Sequence, residues 1–355
     1  MSSVKNEPDE PGSSLRLPRF VGLIHSEVKR EYFPTETQYI TEKEAVHDAQ
    51  VIAKYLERMG IKAKLYPGRP EMVSTLLHDK PDMVFNLVGS INGQEYLTAT
   101  IPGLLEAIDM PYTGAGMLGE SLGYNKYLIK ELLNSHGIPV PRSQLMSSPT
   151  TPLKTDLRFP LISKLNEIHG AVEVSENAVS HNEKELRDRL KFLINTYQQP
   201  VIVEEFIAGR EYTAILLEGG NSKVYIAEKV FKETDDPMQF ATFEDQWGEA
   251  GNDSYAYAKV IDPALGELVK RAFTVTKMED YGKFDIRVDQ AGRYYFIDSN
   301  SNPAFGPKEL EVAMATILDM YEVGFVEILK RLMSNTMREW YKTQEEKGQA
   351  QNGNS

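Results

Sequence analysis

The 355-residue chain contains no cysteine, which excludes disulfides, thiolate nucleophiles and Cys-based metal sites. Histidine is scarce too, and six scattered residues make a poor basis for a zinc site. No window approaches the roughly 20 apolar residues of a membrane-spanning helix, and the polar start MSSVKNEPDEPGSS has no apolar targeting segment. Basic residues are outnumbered 39 to 52. The net charge of -13 argues against a broad nucleic-acid surface, which needs a basic stripe to displace phosphate counterions. The expectation is a cytoplasmic protein with no membrane and no nucleic-acid partner, whose chemistry rests on carboxylates and local lysines.

What is present supports a large core, and the length suggests two or three globular units. The polar ends, residues 1–18 and 341–355, read as mobile tails. RFVGLIH, IKAKLYP and DMVFNLV read as strands, with EMVSTLLHD as a short helix. TEKEAVHDAQVIAKYLERMG reads as a helix opened by a Thr41–Glu44 capping box and closed by Gly60, with Ala45, Ala49, Ile52, Ala53 and Leu56 on one face. This alternation predicts an α/β unit over 19–118 with a mostly parallel, covered sheet. GESLGYNKYLIKELLNSHG reads as one helix, ended by Gly137 and followed by Pro139 and Pro141. From FPLISKL onward the chain turns strand-rich, through AVEVS, PVIVEEFI, EYTAILLEG and KVYIAEKVF, which predicts α+β structure. Residues 232–258 have no clean period, and a loop of that length in a compact domain reads as a lid.

KFDIRVDQAGRYYFIDSN reads as a hairpin. On its first strand Lys283, Asp285 and Arg287 share a face; on its second, Asp298 and Asn300 share one. A two-residue turn puts all five on one side, giving an all-oxygen set suited to Mg²⁺ or Mn²⁺ and to nucleotide phosphates. A three-residue loop puts the two carboxylates on opposite faces. An ordinary solvent-facing hairpin shows the same alternation. A second cluster follows an apolar strand: Glu204, Glu205, Phe206 and Ile207, then Glu211 after a glycine turn. Lys126 stands in GYNKYL, while Lys164 and Lys229 end apolar strands, where a lysine can hold a phosphate as a point charge.

The order of these motifs resembles the ATP-grasp ligases, and within them the D-alanine:D-alanine ligase family, over roughly residues 20 to 330. The segment VFNLVGSINGQEYLTATIPGLLEAIDMPYTGAG is similar to that family as well. The resemblance implies three domains, 19–118, 119–205 and 206–340, with ATP between the central and C-terminal ones. It implies that Lys126, Lys164 and Lys229 hold phosphates, that Glu204, Phe206 and Ile207 surround the adenine, and that Glu211 meets the ribose. Asp285, Asp298 and Asn300 would hold two Mg²⁺ (or Mn²⁺) ions. A substrate carboxylate would attack the γ-phosphate, and an amine would then displace phosphate. A homodimer is a family expectation only.

The departures bear on substrate. Val88 stands where the family carries a histidine, and His169 and Gly170 fall in the region of its Gly-Ser-Ser loop. Lys283 replaces the catalytic arginine, Asp298 a glutamate and Ala304 a glycine. Arg287, four residues on and on the same strand face, is placed to supply the missing guanidinium, so Lys283 and Arg287 are the catalytic candidates. Glu27, Asn86, Ser90, Asn92, Asn302 and Lys308 fall near the places where similar enzymes hold substrates. The reading is a ligase joining an amino acid to a small acceptor, as in relatives that assemble mycosporine-like amino acids. The alternatives are a D-alanine:D-alanine ligase, a small-molecule kinase on the same fold, and a non-catalytic nucleotide-binding protein.

Overall fold

The computed structural model describes residues 17–219, 221–232, 236–248 and 254–352. Three strands, β1 (Phe20–His25), β2 (Lys62–Pro67) and β3 (Met83–Leu87), form a parallel sheet in the order β2-β1-β3. β1 is a continuous apolar run because helices cover both faces. Val21 and Leu23 pack with Ile52 and Leu56, while Ile24 packs with Leu76, Ile101 and Leu105. The capping box at Thr41 does not form. A short helix, Glu36–Ile40, precedes that position with Thr35 as its cap, and the Thr41 hydroxyl donates to the Gln38 carbonyl at 2.8 Å. The helix Ala45–Arg58 ends as expected, with Gly60 at φ +79° and the Ile61 N–H donating to Leu56 O at 3.0 Å.

The helix expected over 119–137 is two helices, Met117–Tyr124 and Lys126–Ser135. Asn125 breaks it: its backbone is extended and its Oδ1 accepts from the Leu128 N–H at 3.0 Å, starting the second helix afresh. Lys126 and Lys130 then lie one turn apart beside Ile129 and Leu133, all four buried.

The second sheet holds β4 (Ser143–Met146), β5 (Leu161–Leu165), β6 (Val179–Ser180) and β7 (Val201–Glu205), antiparallel in the order β4-β7-β5-β6. AVEVS is not a strand. Ala171 and Glu173 sit at φ +55° and +63°, so this stretch bends through the loop that follows β5.

The third sheet is antiparallel, with β8 (Gly209–Leu217), β9 (Lys223–Phe231), β10 (Tyr255–Val260), β11 (Tyr281–Asp289) and β12 (Tyr294–Asn300) in the order β10-β9-β8-β11-β12. One face, with Phe284, Ile286 and Phe296, packs on the helix Pro263–Val275. The other face changes character along its length. Ile215, Leu217, Tyr225 and Tyr281 join the apolar cluster of the first sheet, whereas Glu211, Thr213, Lys229 and Asp285 lie further along the same strand faces. That polar end is where a site is positioned.

The expected loose end is helical: Phe325–Asn352 is one helix, and Lys347 pairs with Asp109 at 3.0 Å. The part of the tails at 1–16 and 353–355 lies outside the described residues, as do 233–235 and 249–253 of the expected lid. Its described part is not structureless. It includes a helix, Phe243–Trp247, with a Thr242–Asp245 capping box, and the start of β10, which pairs with β9. Among the described residues, no helix is long and apolar enough to cross a membrane.

Candidate active site

A cavity of about 1010 Å³ opens between the second and third sheets. Its walls carry Lys126, Lys164, Glu204, Phe206, Ile207, Glu211, Lys229, Lys283, Asp285, Arg287, Asp298 and Asn300, so the fold gathers every residue expected at nucleotide, metal and catalytic positions. Phe240, Trp247, Tyr255 and Tyr257 from the expected lid segment also line it.

The hairpin reaches this arrangement by a route the turn alone does not supply. Its loop has three residues, since the Asp289 N–H donates to Arg293 O at 3.0 Å and Val288 pairs with Tyr294. Carried onward, that register would place Asp298 on the opposite face from Asp285. A β-bulge intervenes: Ile286 pairs with Phe296, but Asp285 pairs with Asp298 and Lys283 with Asn300, leaving Ile297 as the extra residue. The bulge shifts parity by one and returns both carboxylates and the amide to the cavity face.

Asp285 is held by three groups. Lys283 Nζ lies 2.5 Å from Oδ2, the Thr213 hydroxyl donates to Oδ1 at 2.7 Å, and Lys229 Nζ stands 3.8 Å from Oδ1. Burial would raise its pKa, but Lys283 and Lys229 outweigh that and hold the carboxyl well below the usual carboxylate range. Burial is likewise overcome at Asp298, by Lys126 and Lys283. Two ionised carboxylates directly opposite each other repel, and a cation between them relieves this. The donors are oxygens, which suits a hard divalent ion. Among the described residues no third carboxylate or imidazole completes a cage, so coordination places remain for water or phosphate oxygens, as Mg²⁺ prefers.

The cations are already engaged. Lys126 Nζ donates to the Ile168 carbonyl of the loop after β5. Lys229 Nζ lies 2.6 Å from Glu211 Oε1. Glu204, fully buried, takes Lys164 at 3.0 Å and also Lys130 at 2.6 Å, a residue the sequence reading passed over. Burial pushes the Lys130 ammonium down to about 8 against the pull of Glu204. Its signal was available: Lys130 is four residues from Lys126, on the inward stripe of an amphipathic helix.

Arg287 departs from its expected role. Its Nε donates to Ile207 O at 2.9 Å, Nη1 to Gln239 O at 2.7 Å and to Glu211 at 3.3 Å, and Nη2 to Pro237 O at 3.0 Å. It also lies over the Phe206 ring. The guanidinium is committed to fastening residues 237–239 beside Ile207, so Lys283, with Lys229 further off, is the cation nearest Asp285.

The expected substrate residues are dispersed. Of the six, Lys308 lines the cavity, exposed and paired with Asp319 at 2.6 Å. Buried Asn86 accepts the Val88 N–H at 3.3 Å, and Asn92 is an exposed turn residue at φ +52°, so both serve the loop after β3. Glu27 pairs with Arg69 at 3.2 Å. Asn302 accepts the Tyr281 hydroxyl at 2.9 Å and reaches Val88 O at 3.4 Å. Ser90 donates to Glu42 at 2.7 Å, and burial raises the pKa of that carboxyl.

Glu95 and His169 join the first unit to the loop after β5. The His169 N–H donates to Glu95 Oε2 at 2.8 Å. Burial pushes Glu95 up to about 8 and, with Lys126, pushes His169 down to about 4. Both side chains are therefore neutral at pH 7. Between the unfolded-state value near ~4.3 and about 8, only the unfolded chain releases the Glu95 proton, so this group costs stability increasingly as pH rises. Glu95→Gln keeps an acceptor for the His169 N–H and removes that cost. In melts from pH 5 to 9 the variant is expected to gain on wild type up to about pH 8, and a constant difference would contradict this.

Sheets enclosing a large cavity, lysines on its walls and facing carboxylates on a bulged hairpin define an ATP-grasp ligase, an ATP-dependent, ADP-forming enzyme that makes a C–N bond. The family described as D-ala D-ala ligase C-terminus matches residues 132–332, and the chain belongs to that family. Uncharacterized protein y4sG of Sinorhizobium fredii is 28% identical over 280 residues, 75% of this chain and 81% of its own. The D-alanine–D-alanine ligase of Halorhodospira halophila is 27% identical over 289 residues, 80% of this chain and 88% of its own. The solved D-alanine–D-alanine ligase of Bacillus anthracis, complexed with ATP, superposes with a TM-score of 0.70 at 17% identity, over 92% of this chain and 99% of its own. That likeness is one of fold.

Proposed function

We propose that the chain joins the amine of an amino acid to a small acceptor activated by phosphorylation, with ATP in the cavity between the second and third sheets. The observation that carries this is the pairing of Asp285 with Asp298 across the bulge, among Lys126, Lys164, Lys229 and Lys283. In this reading Asp285, Asp298 and Asn300 hold two Mg²⁺ ions, which supply charge neutralisation at the phosphates. The lysines steady phosphoryl oxygens, Lys283 taking the place nearest the paired carboxylates. Phe206 and Ile207 form the adenine end, and Glu211 receives the ribose. An acceptor carboxylate oxygen bonds to the γ-phosphorus as the bond to ADP breaks. The amine nitrogen then bonds to the acyl carbon, phosphate departs with the C–O electron pair, and the amine gives up a proton. Residues 236–248, with Trp247 Nε1 donating to Gly170 O at 2.9 Å, act as the lid that keeps water from the acyl phosphate. The domain division at 118 and 205 is retained, since each unit has its own sheet.

An acceptor other than D-alanine, of the kind used in mycosporine-like amino acid assembly, is favoured by the altered first-substrate region. Val88 there is buried and presents its carbonyl to Asn302. A D-alanine:D-alanine ligase is supported by relatives of that name matching most of the chain. Incubation with ATP, pooled amino acids and screened acceptors tests both: ADP and phosphate release that requires the amine is expected. D-alanine alone sustaining turnover would favour the second reading. An amine-independent phosphorylated product would overturn ligation in favour of a kinase, and ATP binding without ADP formation would favour a non-catalytic protein.

A further inference from the structure

The carboxylate pair depends on the bulge at Ile297, and the bulge has supports of its own. β12 is the edge of the third sheet, so among the described residues its outer side has no strand partner. The Lys126–Ser135 helix covers it there. Lys130 Nζ donates to the Ile297 carbonyl at 2.7 Å and reaches Phe296 O at 3.4 Å, while Lys164 reaches Ile297 O at 3.4 Å. The Phe296 N–H donates to Pro139 O at 2.9 Å. An unbulged ladder would turn the Asp298 carboxylate toward Phe284, inside the apolar cluster under the sheet. Two registers therefore differ by one residue, and only one presents Asp298 to the cavity.

We infer that Lys130 is a positioning residue for the metal site, fixing the Ile297 bulge through its carbonyl and anchoring that bulge to Glu204 on β7. Lys130 touches neither carboxylate. It acts through the backbone that carries Asp298, and its salt bridge to Glu204 ties the metal-facing strand of the third sheet to the second. The inference rests on Asp285 and Asp298 being metal ligands.

The test is Mn²⁺ binding to the protein–ADP complex, read from free Mn²⁺ by electron paramagnetic resonance, beside ADP affinity in EDTA. Lys130→Met is expected to weaken Mn²⁺ about 10- to 100-fold, the range for partners that orient metal ligands, and to change metal-free ADP affinity less than about threefold. Unchanged Mn²⁺ affinity, or an equal loss in EDTA, overturns the inference. Asp298→Asn separates the two claims. If it leaves Mn²⁺ affinity intact, the metal reading fails. If it weakens Mn²⁺ while Lys130→Met does not, the positioning role alone fails. Deletion of Ile297 removes the extra residue and leaves Asp298 opposite Asp285 in a regular ladder, so Mn²⁺ binding should survive the deletion and no longer respond to Lys130→Met. A deletion variant that still loses Mn²⁺ about 10-fold or more when Lys130→Met is added refutes action through the bulge, including where Lys130→Met alone does not fold.

Discussion

Asp285→Asn is expected to lower kcat for ATP-dependent ligation by about 10²- to 10³-fold, the scale of losing one preorganised electrostatic contact at a phosphoryl or acyl centre. The substitution keeps shape and one acceptor for Thr213, whose hydroxyl stands 2.7 Å from Oδ1. The fold survives because Lys229 retains Glu211 at 2.6 Å. What disappears is the charge facing Asp298 and the partner of Lys283. Nucleotide affinity should therefore fall in Mg²⁺ and change little in EDTA, since the lost carboxylate meets the nucleotide through the ion. Wild-type Asp285 is held well below the usual range, so mild acid should not mimic the variant. Near-normal ADP formation by Asp285→Asn would remove the metal assignment.

How much of this was legible divides along a physical line. Strands β1, β2, β3, β5, β7, β8, β9, β11 and β12 are readable because their faces impose a period or an apolar run. Three features depend on single local choices that periodicity averages over: the cap at Asn125, the positive φ angles at Ala171 and Glu173, and the bulge at Ile297. The site residues can be named from motif order, yet alternation puts the carboxylates on one face for a two-residue turn and on opposite faces for a three-residue loop. The structure reaches the same face with a three-residue loop and a bulge, a pair of compensating shifts that side-chain alternation alone does not reveal. Arg287 shared a face with Asp285 as expected, but a long side chain ends where its hydrogen-bond partners are, and those are the carbonyls of 207, 237 and 239. The substrate residues were least legible. Asn86 and Ser90 are polar for the sake of neighbours inside the first unit, and Asn302 reaches from the third unit to Val88 O, contacts between distant positions that no spacing within one segment encodes.

Glu204→Ala is expected to be the most destabilising single change at the site. Glu204 is fully buried and stands between two ammonium groups, Lys130 at 2.6 Å and Lys164 at 3.0 Å. Burial alone would raise its pKa, yet both lysines outweigh this and hold it ionised. Alanine leaves two buried cations without a counter-charge, a loss of roughly 3–5 kcal/mol by analogy with broken buried pairs, against a typical total of about 5–15 kcal/mol. The loss has a pH signature. Burial already lowers Lys130 to about 8, and removing the carboxylate lowers it further, so the folded variant sheds a proton that the unfolded chain keeps up to about pH 10. Native stability then rises with pH across that window, and the melting deficit should be largest near pH 6 to 7 and shrink toward pH 9. Glu204→Gln, which keeps an acceptor but no charge, should fall between alanine and wild type. A melting curve for Glu204→Ala that matches wild type at pH 7 would mean that water and the Ile297 carbonyl satisfy the two lysines at no cost. The link between the second and third sheets would then lie in the apolar contacts instead.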